Sequence, residues 1–135
     1  MVTFKPKTYG PLVVASPDAD TLAITTEAGH PAVGARTPQA QGMSPSDLLL
    51  ASLASCVSIS MRMAAQQMGL ALGELNTTAH ATKALDPPNR FARLDVEVRT
   101  PGPLAPDVAA ELVQRTKALC TVSNTLGAEV QVRVV

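Results

Sequence analysis

Aromatic residues are nearly absent from this chain of 135 residues: Phe4, Tyr9 and Phe91 are all it has, and there is no tryptophan. Little is available for stacking bases or caging a quaternary ammonium ion, so the core is expected to be aliphatic. An excess of charge of one sign is missing too, since 11 Lys and Arg balance 11 Asp and Glu. With no basic field to gather phosphates, nucleic acid is not an expected partner; small molecules or proteins are. The longest apolar stretch, from Leu48 toward Met63 between Asp47 and Arg62, falls short of the roughly 20 residues that span a bilayer, and it reads as a buried helix. The opening MVTFKPKTYGPLVV puts lysine and proline where the apolar part of a secretion signal would run. No membrane partner and a cytoplasmic location are therefore expected.

Cysteine is scarce as well, with only Cys56 and Cys120, each inside an apolar run. In a reducing compartment two such residues are not expected to form a structural staple, which leaves transient redox chemistry, metal binding and plain burial open. The count of two Cys and two His permits a metal site, but the spacing argues against one. His30 and His80 fall in separate loop and strand contexts, with no close C-x-x-C or H-x-x-x-H pair to anchor ligation. Met61, Met63 and Met68 cluster in one helical stretch and read as helix packing, not as a copper or haem site. Nor does a Ser-His-Asp order, a glycine-rich phosphate loop or a carboxylate pair stand out.

What is present is a single domain, 1–135, with an α+β pattern. Thr3 to Lys7, Leu12 to Ala15 and Thr21 to Thr26 are short β-type runs punctuated by Gly10-Pro11, Ser16-Pro17-Asp18 and Gly29, which predicts a small antiparallel meander. Ala32 to Met43 is small, polar and broken by Gly and Pro, and it reads as a loop whose only charge is Arg36. Ser44-Pro45-Ser46-Asp47 predicts a helix start: Ser44 can cap, Pro45 suits the first turn and Asp47 complements the positive helix end. That helix should run to about Met68, stopped by Gly69, with Leu49, Ser52, Leu53, Ile59, Ser60 and Met63 on the face of Cys56. Its small residues would let another helix approach closely. Glu74 to Ala84 and Phe91 to Thr100 alternate as a hairpin with one solvated face, Pro106-Asp107 opens a second helix, and Gly127 to Val135 closes as a strand.

Two segments carry a resemblance. Ser44 through Cys56, SPSDLLLASLASC, resembles the SPxELLLAALAxC helix of the OsmC/Ohr family, named for osmotically inducible protein C and organic hydroperoxide resistance protein. Cys120 through Leu126, CTVSNTL, resembles that family's CPVSNTL element, and the order and separation of the two agree. The resemblance extends from about Gly42 to the C-terminus. It implies an OsmC-like α+β fold, with antiparallel sheets packed around two central helices and two subunits interlocked as a homodimer. It also implies a thiol peroxidase that reduces organic hydroperoxides or hydrogen peroxide in oxidative or osmotic stress.

By that resemblance Cys56 attacks the peroxide, Cys120 resolves the sulfenic acid as a disulfide, and an external dithiol of lipoyl type or similar restores the thiols, with no bound cofactor. A nucleophilic cysteine among apolar neighbours needs a cation or several donors to become a thiolate. Arg36, the only arginine or lysine between Lys7 and Cys56, is the candidate cation. The family's better-known members carry a glutamate ten residues before the nucleophile to hold that arginine; here the position is Ser46, and the acid is Asp47, one residue on, as in a broader OsmC-like branch. One step along a helix turns a side chain by about 100°, which gives Asp47 a competing reading as a helix-start residue. Thr121 stands where the family often has proline, and Val57 where it often has phenylalanine. An alternative is an OsmC-like dimer without enzymatic activity that binds an apolar small molecule.

Overall fold

The computed structural model describes residues 4–37 and 40–135. The chain divides into two compact units, Met1–Leu48 and Leu49–Val135. In the first, strands β1 (Val13–Ala15), β2 (Thr21–Thr25) and β3 (Pro31–Ala35) form an antiparallel meander in chain order. The β1–β2 turn is closed by Asp18, whose Oδ1 accepts the amides of Asp20 at 2.9 Å and Thr21 at 2.8 Å. These bonds, that of Asp20 foremost, hold the Asp18 carboxyl below its ordinary range.

Two sequence expectations change in this unit. Phe4 to Lys7 form no strand, in keeping with the missing N–H of Pro6, and Thr3 lies outside the described residues. The expected loop from Ala32 begins later, because Pro31–Ala35 pairs along the whole of β2. Small residues make that pairing close: a Cβ on Gly34 would sit 3.0 Å from Leu22 Cβ. Of the remaining loop, Pro38 and Gln39 lie outside the described residues. Gly42 ends it with φ +117, and a Cβ there would come within 2.9 Å of the Val33 carbonyl oxygen, so only glycine fits. Met43 is thereby laid against β3, donating to Val33 O at 3.0 Å and accepting from Ala35 N–H at 2.9 Å.

Helix α1 (Pro45–Gln67) follows, and nearly all of it belongs to the second unit with β4 (Asn76–Lys83), β5 (Phe91–Arg99), α2 (Pro106–Leu119), α3 (Thr121–Thr125) and β6 (Glu129–Val134). The sheet order is β4-β5-β6. β4 and β5 pair antiparallel as the hairpin pattern predicts, but β6 pairs parallel to β5, so this sheet is mixed and not antiparallel throughout. The cause is the connection: α2 and α3 carry the chain back before β6 starts, as a parallel crossover requires.

The core is aliphatic. Leu94, Val96 and Val98 of β5 with Val130 and Val132 of β6 point inward at period two, and meet Leu53, Val57, Met61, Ala64 and Ala65 of α1, Leu112 of α2 and Cys120. The other face is solvated: Arg93 of β5 grips Asp95 at 2.7 Å and Gln131 of β6 at 2.8 Å. By length and composition α1 could cross a membrane; its inward residues are instead part of this core.

Candidate functional site

The site is built on α1, whose register is fixed at its first turn. Ser44 Oγ accepts the Asp47 amide at 3.1 Å, and Asp47 Oδ2 accepts the Ser44 amide at 3.0 Å. This reciprocal pair is a capping box, which satisfies two amides that helix geometry leaves free. Asp47 therefore spends its carboxylate on the helix start. Three turns later Cys56 emerges half-buried, with Ser60, 3 % exposed, one turn beyond it on the same face.

Cys120 is supplied by the break between α2 and α3. Its N–H closes α2 on Thr116 O at 3.0 Å, while its carbonyl accepts the Asn124 amide at 3.1 Å and the Ser123 hydroxyl at 3.2 Å. Asn124 Nδ2 ties the junction back to Ala118 O at 3.3 Å. These bonds hold Cys120, fully buried, in an extended conformation between two helical segments. The segment Thr121–Thr125 is a short helix, and its first amides, those of Thr121 and Val122, have no acceptor within the helix.

These elements converge on one sulfur. Burial pushes the Cys56 thiol up, but the Val122 amide, the Cys120 thiol, the Ser60 hydroxyl and the Thr121 amide all face its sulfur, and together they bring it below the ordinary thiol range. Each of the four favours the anion by hydrogen bonding. The structure brings Cys56 and Cys120 together as neighbours, both as free thiols. Within the second unit no charged side chain acts on the Cys56 sulfur. Arg36 belongs to the first unit, where its Nε pairs with Asp20 Oδ1 at 2.9 Å, both side chains largely exposed. The Thr121 and Val122 amides escaped sequence reasoning; Ser60 was legible as a neighbour of Cys56 by its spacing, but not as a donor. Among the described residues no three His, Cys, Asp or Glu side chains gather as metal ligands.

Chemically, a half-buried sulfur held toward its anion beside a buried second thiol can attack an electrophile and then be captured by its neighbour. Comparison with known proteins points to one family. The family model described as OsmC-like protein matches residues 38–135. An OsmC-like protein from Mycoplasma pneumoniae has a TM-score of 0.83 at 17% identity, covering 97% of this chain and 98% of its own. The organic hydroperoxide resistance protein OsmC from Legionella pneumophila gives a TM-score of 0.73 at 18% identity over 95% and 97% of the two chains. The organic hydroperoxide resistance protein OhrB of Bacillus subtilis gives a TM-score of 0.73 at 18% identity over 93% and 98%. No curated protein sequence matches significantly.

Proposed function

The chain belongs to the OsmC family, and from that membership and its paired thiols we propose that residues 1–135 act as one domain, a cytoplasmic, homodimeric thiol peroxidase serving in oxidative or osmotic stress defence. The observation that carries the proposal is the Cys56 sulfur, held toward its anion with the Cys120 thiol against it. Two similar structures are named organic hydroperoxide resistance proteins, and the proposal extends that substrate class, with hydrogen peroxide, to this chain.

In the proposed reaction the Cys56 thiolate attacks one peroxide oxygen, the O–O bond breaks, and the departing oxygen takes a proton to leave as alcohol or water. The sulfenic acid so formed is attacked by Cys120, its hydroxyl leaves with the Cys120 proton as water, and a disulfide forms. An external dithiol, lipoyl-type or similar, supplies the two electrons that reopen the disulfide, so no bound cofactor takes part. Asp47 serves by fixing the start of the helix that carries the nucleophile. Arg36 is assigned as a cation of the assembled site, to be released from Asp20.

The test is to add cumene hydroperoxide or hydrogen peroxide to the reduced protein and titrate thiols. Loss of two thiols per chain as a Cys56–Cys120 disulfide is expected, with no peroxide consumed by Cys56→Ser and a sulfenic acid trapped in Cys120→Ser. Thiols that survive excess peroxide would overturn the proposal in favour of a ligand-binding dimer.

A further inference from the structure

Between Asp107 and Leu126 the chain has neither glycine nor proline, the residues that ordinarily stop a helix, and yet α2 ends at Leu119 and α3 begins at Thr121. Something other than a breaker holds Cys120 out of the helical region, at φ −79 and ψ 99. The Cys120 amide on Thr116 O, the Asn124 amide on Cys120 O and the Ser123 hydroxyl on Cys120 O span four, four and three residues, as bonds of an unbroken helix also would. They do not select the break. Asn124 Nδ2 is different, because it donates to Ala118 O at 3.3 Å, six residues back. In an unbroken helix six residues are about 9 Å of rise and end on another side of the cylinder, beyond the reach of asparagine. The acceptor matters too, since Ala118 O is the carbonyl that the Val122 amide would take if the helix ran on.

We propose that Asn124 is a positioning residue for Cys120: its side-chain amide holds the α2–α3 break open and so keeps the resolving thiol extended and ready to bond Cys56. The inference rests on Cys120 as the resolving thiol of the proposed function. Cys120 is the pivot of the junction and is fully buried in the core that α1 also lines. Turning its ψ from 99 to the helical value of about −42° would swing α3 against α2 and carry the thiol with it. A disulfide asks for one narrow arrangement of Cα and Cβ atoms, so a pivot left unheld divides its time between arrangements that can bond Cys56 and others that cannot.

The experiment reads two quantities in the full-length protein. The carbon-13 Cα and Cβ shifts of Cys120 in the reduced state report its backbone conformation. The equilibrium of the Cys56–Cys120 bond in a glutathione buffer, where two protein thiols are oxidised as one glutathione disulfide is reduced to two thiols, reports how well the pair is placed. Asn124→Ala should move the Cys120 shifts toward helical values and lower the equilibrium constant for the bond about fivefold. Asn124→Asp, which keeps the size and the low helix propensity but cannot donate, should do the same. Adding Thr121→Pro to Asn124→Ala should bring the extended shifts back, because proline bars the residue before it from the helical region. Shifts that stay extended in both single variants, or an equilibrium that does not follow them, would overturn the assignment to Asn124. A parent chain that forms no Cys56–Cys120 bond, but in which Asn124→Ala still turns Cys120 helical, would uphold Asn124 as the residue that holds the break and sink the resolving role of Cys120, so the two failures are distinguishable.

Discussion

At Cys56 two opposing effects meet on one atom, and the sign of their sum has consequences for folding as well as reactivity. Desolvation favours the neutral thiol; four hydrogen-bond donors favour the thiolate and outweigh it. The folded protein therefore releases the Cys56 proton at lower pH than the unfolded chain does. Stability must then rise as pH climbs from the lowered folded value to the ordinary thiol range, and be lost again as pH falls back through the folded value. In scanning calorimetry of reduced protein, the melting temperature of the parent relative to Cys56→Ser should increase between neutral and mildly alkaline pH. A difference that is flat with pH, or that falls, would contradict the donor arrangement. Cys56 and Cys120 were legible in the sequence because each sits in a local motif. The Thr121 and Val122 amides were not, because their approach to Cys56 depends on how the α2–α3 junction packs against α1, and residue order does not encode that directly.

Among the elements, the start of α1 was the most legible, since Ser, Pro and an acid three residues after the serine define a capping box by local chemistry alone. Removing it by Ser44→Ala should cost about 1 kcal/mol, read as a lower urea midpoint at unchanged slope. A cost within about 0.5 kcal/mol of zero would mean the box is ornamental. The short helix α3 was less legible, because five residues are too few for a periodic pattern to separate helix from turn. The parallel pairing of β6 was missed for a different reason: alternation reports which face a strand buries and says nothing of its direction. Helix α3 also offers a clean test of its own first amide. Thr121 is its first residue and Cys120 before it is extended, at φ −79 and ψ 99, so proline fits both positions. Thr121→Pro should keep the circular dichroism spectrum while slowing Cys56 alkylation several-fold at neutral pH, since one charge-assisted hydrogen bond is lost. Unchanged alkylation would remove the Thr121 amide from the site.

For the whole molecule, the question is what covers the apolar surface that a single chain leaves open. Ile59 is 62 % exposed and Met63 49 % exposed, both on α1 at three and seven residues beyond Cys56. In the first unit Phe4, Tyr9, Val13, Val14 and Val33 are also largely exposed. Scattered apolar residues are ordinary on a monomer, but two large ones beside a proposed reactive sulfur leave that sulfur open to water and stray oxidants. A second copy of the chain is the covering that the proposed function assigns. Burying Ile59 alone would contribute roughly 1.5–3 kcal/mol, and aspartate in its place would lose that and add a desolvated charge. Ile59→Asp should therefore weaken self-association by at least about tenfold, given ~1.4 kcal/mol per decade. Sedimentation equilibrium should find twice the chain mass for the parent and a concentration-dependent shift toward the single chain for Ile59→Asp, whose Cys56 should also lose selectivity for peroxide over small alkylating agents as its surroundings open. A parent that sediments as a single chain at every concentration would show that α1 is not the dimer face and that Cys56 must react from an open surface.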